Sequence, residues 1–204
     1  MHKAPTPLVI ASSNAGKLRE FAALLADLGL EIKPQPPGLE VEETGDTFAE
    51  NARLKAAAVA QATGCWALAD DSGLSVDALG GAPGVLSARY GNSDGDRIAR
   101  LLRELAALPA GAADRRAQFR AALAVADPSG AIRLEVEGVC EGSILETPRG
   151  QGGFGYDPVF YVAEADQSYA EMEPALKARL GHRGRAFALL APGLKSLQKN
   201  QPTS

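Results

Sequence analysis

Two adjacent aspartates, Asp70 and Asp71, directly follow the apolar run of residues 65–69. Such a run is typical of a buried strand, so the two carboxylates are expected at a rigid strand end, where they repel each other. A hard divalent cation relieves this repulsion, and Mg²⁺ typically takes one or two protein carboxylates together with water and phosphate oxygens. Because neighbouring side chains of an extended segment point in opposite directions, the two aspartates need not share a role. The simpler alternative is a turn capped by Asp71 and Ser72.

A second group of acids lies earlier in the chain and consists of Glu42, Glu43, Asp46 and Glu50. With the two aspartates it forms the candidate metal-binding cluster. Lys55 follows Glu50 by five positions, so the two do not form a helical i,i+4 pair. A helical lysine ordinarily faces solvent, and from the residues alone we expect this of Lys55 and of Lys177.

The segment between an apolar run at residues 8–11 and a helix-spaced series of leucines consists of Ser12, Ser13, Asn14, Ala15, Gly16 and Lys17. A strand that leads through such a turn into a helix exposes backbone N–H groups at the positive end of the helix dipole, where anions bind. Lys17 in the first helical turn is unfavourable for the dipole unless it meets an anion. Phosphate binding is one interpretation. The other is an ordinary helix cap with an exposed lysine, since the P-loop pattern GxxxxGK[ST] does not occur here.

Two further segments could contact a planar ligand. In the glycine-rich residues 152–158, Phe154 and Tyr156 flank Gly155 and precede Asp157, and glycine lets a backbone approach a ligand closely. A tight loop with its aromatic side chains in the core is the alternative. The second segment is Gly181-His182-Arg183, at a predicted break between helices. A single histidine is more often structural than functional, so by itself this segment carries little weight.

Composition narrows the class of protein. The net charge is −4, which argues against a basic face for nucleic-acid polymers, although small anions remain possible ligands. No apolar run approaches the ~20 residues that span a bilayer, and the first residues lack a signal-peptide core. Cys65 and Cys140 lie far apart without CxxC spacing, so we expect a reducing, cytoplasmic setting. With no Ser–His–Asp or HExxH arrangement, metal-assisted attack of water on a phosphate is the chemistry left.

The elements that must position these residues alternate between strands and helices in the first half of the chain. Thr47 and Glu50 form a capping box before an alanine-rich helix, and Ser168 and Glu171 form a second one that predicts another helix. Residues 127–130 predict a hairpin turn in the second half. The expected fold is an α/β single domain with a mixed sheet flanked by helices, and a flexible tail from about residue 198.

Taken in this order, the segments resemble the inosine triphosphate pyrophosphatase family, which acts on ITP, dITP and XTP. The matching stretches are residues 11–17, 42–45, 48–52 with Lys55, 69–74, 80–84 with 87–90, 152–158 and 182–184. They extend over about residues 8–190, nearly the whole chain. The resemblance implies an elongated mixed sheet, two lobes with a nucleotide cleft between them, a homodimer and Mg²⁺ as the cofactor.

The resemblance also implies roles for individual residues. Residues 12–17 would hold the triphosphate, Glu42 and Asp71 would bind Mg²⁺, Asp71 would accept the proton, and Lys55 would face the phosphates. The residues that would contact the nucleotide and its base are Ser72, Phe154, Gly155, Tyr156, Asp157, Lys177, His182 and Arg183. One position departs from the family, since Gly181 stands where serine commonly precedes the His-Arg pair.

Three other functions compete with this interpretation. A Maf-type pyrophosphatase acting on other nucleotides would use a similar fold and chemistry. A nucleotide-binding sensor without activity is a rival of another class, against which the Asp70-Asp71 pair and Lys55 count. A Rossmann dehydrogenase is disfavoured because no GxGxxG follows the first strand.

Overall fold

A computed structural model describes residues 7–109 and 114–199 of the 204-residue chain. Its strands are β1 Pro7–Ala11, β2 Glu31–Pro34, β3 Trp66–Val76, β4 Arg116–Ala126, β5 Ile132–Ile144, β6 Phe160–Val162 and β7 Gln167–Ser168. Its α-helices are α1 Ala15–Leu25, α2 Phe48–Thr63, α3 Asp94–Ala106, α4 Pro174–Leu180 and α5 His182–Lys199. None of the helices within these residues is long and apolar enough to cross a membrane.

Within the described residues, the strands form one seven-stranded sheet of order β2-β1-β3-β4-β5-β6-β7. The sheet is mixed, because β1 runs parallel to both of its neighbours whereas β6 runs antiparallel to β5 and β7. A tight turn joins β4 to β5, in which Gly130 N–H donates to Asp127 O at 2.8 Å. The predicted α/β fold with a mixed sheet and a hairpin at residues 127–130 is therefore confirmed.

The chain divides into two compact units. The first contains residues 7–71 together with Ala121–Gly138 and residues 184–199. Its core has two layers of buried side chains. In one layer, Phe21 and Leu25 of α1 pack with Leu8, Ile10 and Leu68 of the strands. The other consists mainly of alanines from α2, β3 and β4, which allow the helix to lie close to the sheet.

The second unit contains Ser72–Arg120, apart from residues 110–113, and Val139–Arg183. Its core is richer in aromatic side chains. Phe119, Phe160 and Tyr169 pack with ring centroids 4.8–5.4 Å apart, and Leu101 and Leu105 of α3 belong to the same cluster. Aromatic contacts at this spacing fix ring orientation as well as burying apolar area.

Two predictions about elements need correction. The strand predicted to end before the aspartates continues to Val76, so Asp70 and Asp71 lie inside β3. No helix begins at Ser168, because Ser168 pairs with Tyr161 in the sheet and its hydroxyl donates to Arg149 O at 2.7 Å. Of the predicted flexible tail, residues 198 and 199 belong to α5 and the rest lies outside the described residues, as do Met1–Thr6 at the other end.

Candidate active site

The loop between β1 and α1 presents polar groups at the start of a helix, as predicted. Asn14 is the N-cap of α1, and its side chain accepts a hydrogen bond from Lys17 N–H at 3.1 Å. Ser12 Oγ in turn accepts from Asn14 N–H at 3.1 Å. Ser13 and Ala15 are exposed and Gly16 is buried. The loop therefore keeps a fixed shape while part of it faces solvent.

Two lysines and three carboxylates of the first unit meet on β3, in what we call the ammonium–carboxylate cluster: Lys17, Glu43, Lys55, Asp70 and Asp71. Lys17 Nζ lies 2.7 Å from Asp70 Oδ2. Lys55 Nζ donates to Asp71 Oδ1 and Glu43 Oε1, each at 2.8 Å, and to the backbone O of Asp70 at 2.9 Å. The predicted solvent-facing orientation of Lys55 is wrong, since its side chain is only 13% exposed.

Burial and pairing act in opposite directions on this cluster. Burial raises the pKa of Asp71 above its ordinary value, although the positive charges of Lys55 and Lys17 oppose the rise. Burial disfavours the charged form of Lys55, but the charges and hydrogen bonds of Asp71 and Glu43 outweigh it and raise the pKa of Lys55. Lys55 therefore stays an ammonium, and Asp71 is a better proton acceptor than an exposed aspartate.

A buried asparagine that the sequence analysis missed holds the loop that carries Glu43. Asn51 is 1% exposed; its Oδ1 accepts from Gly45 N–H at 2.8 Å and its Nδ2 donates to Gly45 O at 3.3 Å. Asn51 precedes Lys55 by four residues on α2, so both lie on one helix face. The four-residue spacing between Asn51 and Lys55 is the feature of the sequence from which Asn51 could have been predicted. Glu42, on the same loop, is exposed.

The second unit brings most of the remaining predicted residues together with Tyr169, which was not predicted. We call this group the aromatic–cation cluster: Ser72, Phe154, Asp157, Tyr169, Lys177, His182 and Arg183. Lys177 Nζ donates to Asp157 Oδ2 at 2.6 Å and lies 5.1 Å from the centroid of the Phe154 ring. The Arg183 guanidinium lies 5.5 Å from the same ring, and its Nη2 donates to Ser72 Oγ at 2.6 Å. Two cations therefore lie near the Phe154 ring, whose π face attracts positive charge.

His182 lies inside the aromatic packing of this cluster. Its side chain stacks on Phe119 with ring centroids 4.7 Å apart, and its backbone N–H donates to Tyr169 Oη at 3.3 Å. The residue is 3% exposed. The solvent-facing expectation for Lys177 is also wrong, because its side chain is 12% exposed and paired with Asp157.

Comparison with known proteins assigns the family. A sequence model of the Ham1 family matches residues 8–192. The chain belongs to the Ham1 family. It is 62% identical over 195 residues to a dITP/XTP pyrophosphatase of Synechococcus sp., covering 96% of this chain and 93% of that protein. A dITP/XTP pyrophosphatase of Nostoc sp. is 58% identical over 93% of this chain and 95% of its own. This confirms the resemblance on which the sequence interpretation was based.

Solved structures of Ham1 proteins have the same fold. The Ham1 protein of Coxiella burnetii has a TM-score of 0.83 and 42% identity, over 94% of this chain and 99% of that one. The Staphylococcus aureus Ham1 protein has a TM-score of 0.81 and 38% identity, over 94% and 100%. The α/β assignment is therefore shared with proteins of known structure.

Two positions of this Ham1 chain, Tyr156 and Gly181, have close contacts with the backbone around them. Tyr156 is buried, and its hydroxyl donates to Ser87 O at 2.9 Å, so its side chain braces the loop from within the core. At Gly181, an added Cβ would lie 2.6 Å from the backbone O of Lys177. The end of α4 therefore closes more tightly here than a serine would allow without a shift.

Proposed function

We propose that the ammonium–carboxylate cluster hydrolyses dITP, ITP and XTP to the monophosphate and pyrophosphate, with Mg²⁺ as the cofactor. The activity itself follows from family membership, because relatives at 54–62% identity over more than nine-tenths of the chain are dITP/XTP pyrophosphatases. The chain is accordingly a pyrophosphatase of non-canonical purine nucleoside triphosphates. The residue roles and the metal are the proposed part.

The observation that carries the proposal is the convergence of Glu43 and Asp71 on the ammonium group of Lys55. Both carboxylate oxygens lie 2.8 Å from the same nitrogen, so they are no more than twice that distance apart. Lys17 forms an ion pair with Asp70, the neighbour of Asp71 in the sequence. Cations and carboxylates held in one partly buried cluster are what binding and cleaving a triphosphate requires.

The donor set fits Mg²⁺. Carboxylate oxygens are its preferred protein ligands, and Mg²⁺ usually takes only one or two of them and completes its coordination with water and phosphate. Across residues 7–109 and 114–199, no group of three or more His, Cys, Asp or Glu side chains is arranged to hold a metal ion. Asp71 would hold Mg²⁺ with one carboxylate of the Glu42–Glu43 pair. Bound there, Mg²⁺ would neutralise phosphate charge and acidify the attacking water.

The chain's own residues supply the remaining steps. Asp71, whose pKa is raised by burial, accepts the proton of the water that attacks the α-phosphorus. The bond from that phosphorus to the bridging oxygen breaks, and pyrophosphate leaves with the electron pair. Lys17 and Lys55 donate to phosphate oxygens, and the N–H groups of residues 12–17 bind them at the start of α1. Both lysines are already paired with carboxylates, Lys17 with Asp70 and Lys55 with Asp71 and Glu43.

The aromatic–cation cluster supplies groups suited to the base. Hypoxanthine and xanthine present a 6-oxo acceptor where adenine presents a 6-amino donor. Lys177 and Arg183 can donate to the oxo group, while Phe154 offers a ring face for stacking. An adenine amino group, itself a donor, would offer Lys177 and Arg183 no oxo acceptor, and unpaired buried donors can produce ~10⁴-fold rejection. Guanine also carries a 6-oxo group, so its rejection must depend on the 2-amino position.

Release of pyrophosphate from a panel of triphosphates tests the proposal. We expect ITP, dITP and XTP to be far better substrates than ATP, GTP, dTTP or UTP, with turnover abolished by chelation of divalent ions. Preference for dTTP or UTP would favour the Maf-type alternative. Binding without pyrophosphate from any triphosphate plus Mg²⁺ would favour a sensor.

We further propose that the protein acts in the cytoplasm as a homodimer. Cys65 and Cys140 are both free thiols, which suits a reducing compartment. Sedimentation at several protein concentrations tests the homodimer, and fractionation of cells tests the location.

A further inference from the structure

We propose that Asp94, to which the family resemblance assigns no role, positions the loop of residues 152–157, called here the Phe154 loop. The inference rests on the proposed function, in which Phe154 lies against the purine. It deepens that function by assigning a residue of α3 to the shape of the base-binding loop. Asp94 is therefore a positioning residue, which acts through the loop that carries Phe154.

The contact that carries the proposal joins residues 61 positions apart in the chain. Asp94 Oδ2 accepts a hydrogen bond from the backbone N–H of Gly155 at 2.7 Å. Gly155 directly follows Phe154, so the bond fixes the peptide unit next to the aromatic ring. A short bond between an amide and an ionised carboxylate is among the stronger hydrogen bonds of proteins.

Asp94 is itself held in place by its other oxygen. Asp94 Oδ1 lies 2.6 Å from Arg97 Nη1, one helical turn along α3, and Arg97 Nε donates to Gly91 O at 3.3 Å. The two oxygens of Asp94 thus have separate partners, one on its own helix and one on the Phe154 loop. The carboxylate is therefore held in the orientation that reaches Gly155.

The loop needs such support because of its backbone. Gly153 and Gly155 have φ values of 74° and 63°, in the left-handed region that glycine adopts without strain. Glycine also has more conformational freedom to lose than other residues, so a six-residue loop with three glycines is costly to order. The bond from Phe154 N–H to Asp157 Oδ2 at 2.9 Å lies within the loop, whereas the Asp94 bond ties it to a helix. A loop ordered in advance binds its ligand more tightly.

Loss of the bond should therefore weaken nucleotide binding and leave the chemical step largely intact. For Asp94→Ala we expect the KM for ITP to rise about 5- to 10-fold, in line with one charge-assisted hydrogen bond at a half-exposed site, while kcat changes less than about twofold. An equal loss of ground-state and transition-state binding gives this pattern. Asp94→Asn keeps an acceptor for Gly155 and should restore most of the affinity.

Asp96→Ala is the matched control. Asp96 lies in the same first turn of α3, so both alanine variants remove one acid from the positive end of the same helix. Only Asp94 reaches the Phe154 loop. A general effect on α3 would therefore appear equally in both variants.

Amide hydrogen exchange gives a readout that does not depend on turnover. In Asp94→Ala, exchange in residues 152–157 should become about 5- to 10-fold faster, while Asp96→Ala and Asp94→Asn should stay close to the unmodified chain. Equal exchange in the two alanine variants, or a fall in kcat at constant KM, would overturn the role of Asp94. If the unmodified chain fails to hydrolyse ITP, the proposed function fails, and the exchange comparison still decides whether Asp94 holds the loop.

Discussion

The ammonium–carboxylate cluster and the aromatic–cation cluster both bury lysines against aspartates, yet the groups that surround these lysines differ. Around Lys55, three oxygens lie within 2.9 Å, two of them from carboxylates. Around Lys177, one carboxylate lies at 2.6 Å and the aromatic rings of Phe154 and Tyr169 lie 5.1 and 5.2 Å away. The oxygens around Lys55 suit a site that binds several charged groups. The aromatic rings around Lys177 suit a site that binds a flat ligand of low charge.

The two clusters would therefore control different properties of the enzyme, one the reaction rate and the other the choice of substrate. Under the proposed function, the oxygen-rich cluster would stabilise the phosphates and the proton, whose bonding changes during the reaction. The aromatic cluster would recognise the base, which does not change during the reaction. We therefore expect variants of the first cluster to affect mainly kcat and metal dependence, and variants of the second to affect mainly the choice of substrate.

The largest expected effect comes from removing the proton acceptor. Asp71→Asn should reduce kcat for ITP by about 10³-fold, because the amide neither accepts the proton of water nor binds Mg²⁺ as a carboxylate does. Pyrophosphate release measures the rate, and the melting temperature reports whether the fold is retained.

Glu135→Gln is the control for this change. It also removes a carboxylate of the first unit, 2.7 Å from the Arg53 guanidinium, but leaves the cluster intact. Its kcat should match that of the unmodified chain. Wild-type turnover in Asp71→Asn would contradict the assignment of Asp71, and with it the division of labour between the clusters.

A smaller effect, on substrate choice, is expected from Arg183→Gln. With one cationic donor removed from the aromatic–cation cluster, the preference for ITP over ATP should fall about 10- to 100-fold, while kcat for ITP stays within a few-fold. The ratio of kcat/KM for the two nucleotides is the measurement. Arg179→Gln, at an exposed position of α4, is the matched control and should leave the ratio unchanged. A large loss of kcat with an unchanged ratio would place Arg183 with the chemistry instead.

Local chemistry explains which parts of this site were predictable from the sequence. The caps at Asn14 and Thr47 are hydrogen bonds between residues three apart, and both occur as predicted. The partners of Lys55 lie 12 and 16 residues away, so its burial depends on how β3 and the Glu43 loop meet, which spacing along the chain does not reveal. Asn51 was missed for the same reason, because its hydrogen bonds with Gly45 join helix α2 to the preceding loop.

Ser168 shows the opposite failure, in which a correct local signal loses to the tertiary structure. Glu171 does accept a hydrogen bond from Ser168 N–H at 2.8 Å, as one half of a capping box would. The strand pairing of Ser168 and the bond from its hydroxyl to Arg149 O keep the chain extended, and α4 begins only at Pro174. Burial of Lys177 was likewise unpredictable, because its partner Asp157 lies 20 residues away.

The finest test separates two neighbouring carboxylates of the first cluster, Glu42 and Glu43. The family resemblance implies Glu42 as the metal ligand, whereas the contact to Lys55 brings Glu43 beside Asp71. Glu43 is partly buried against Lys55 whereas Glu42 is exposed, so we expect one of the two to dominate. We expect Glu43→Gln to raise the Mg²⁺ concentration for half-maximal activity about tenfold, and Glu42→Gln to change it less than about threefold. Each variant is the control for the other, because both remove one negative charge. If Glu42→Gln raised the required Mg²⁺ concentration more than Glu43→Gln, the metal would be assigned to Glu42, and Glu43 would be a partner of Lys55 alone.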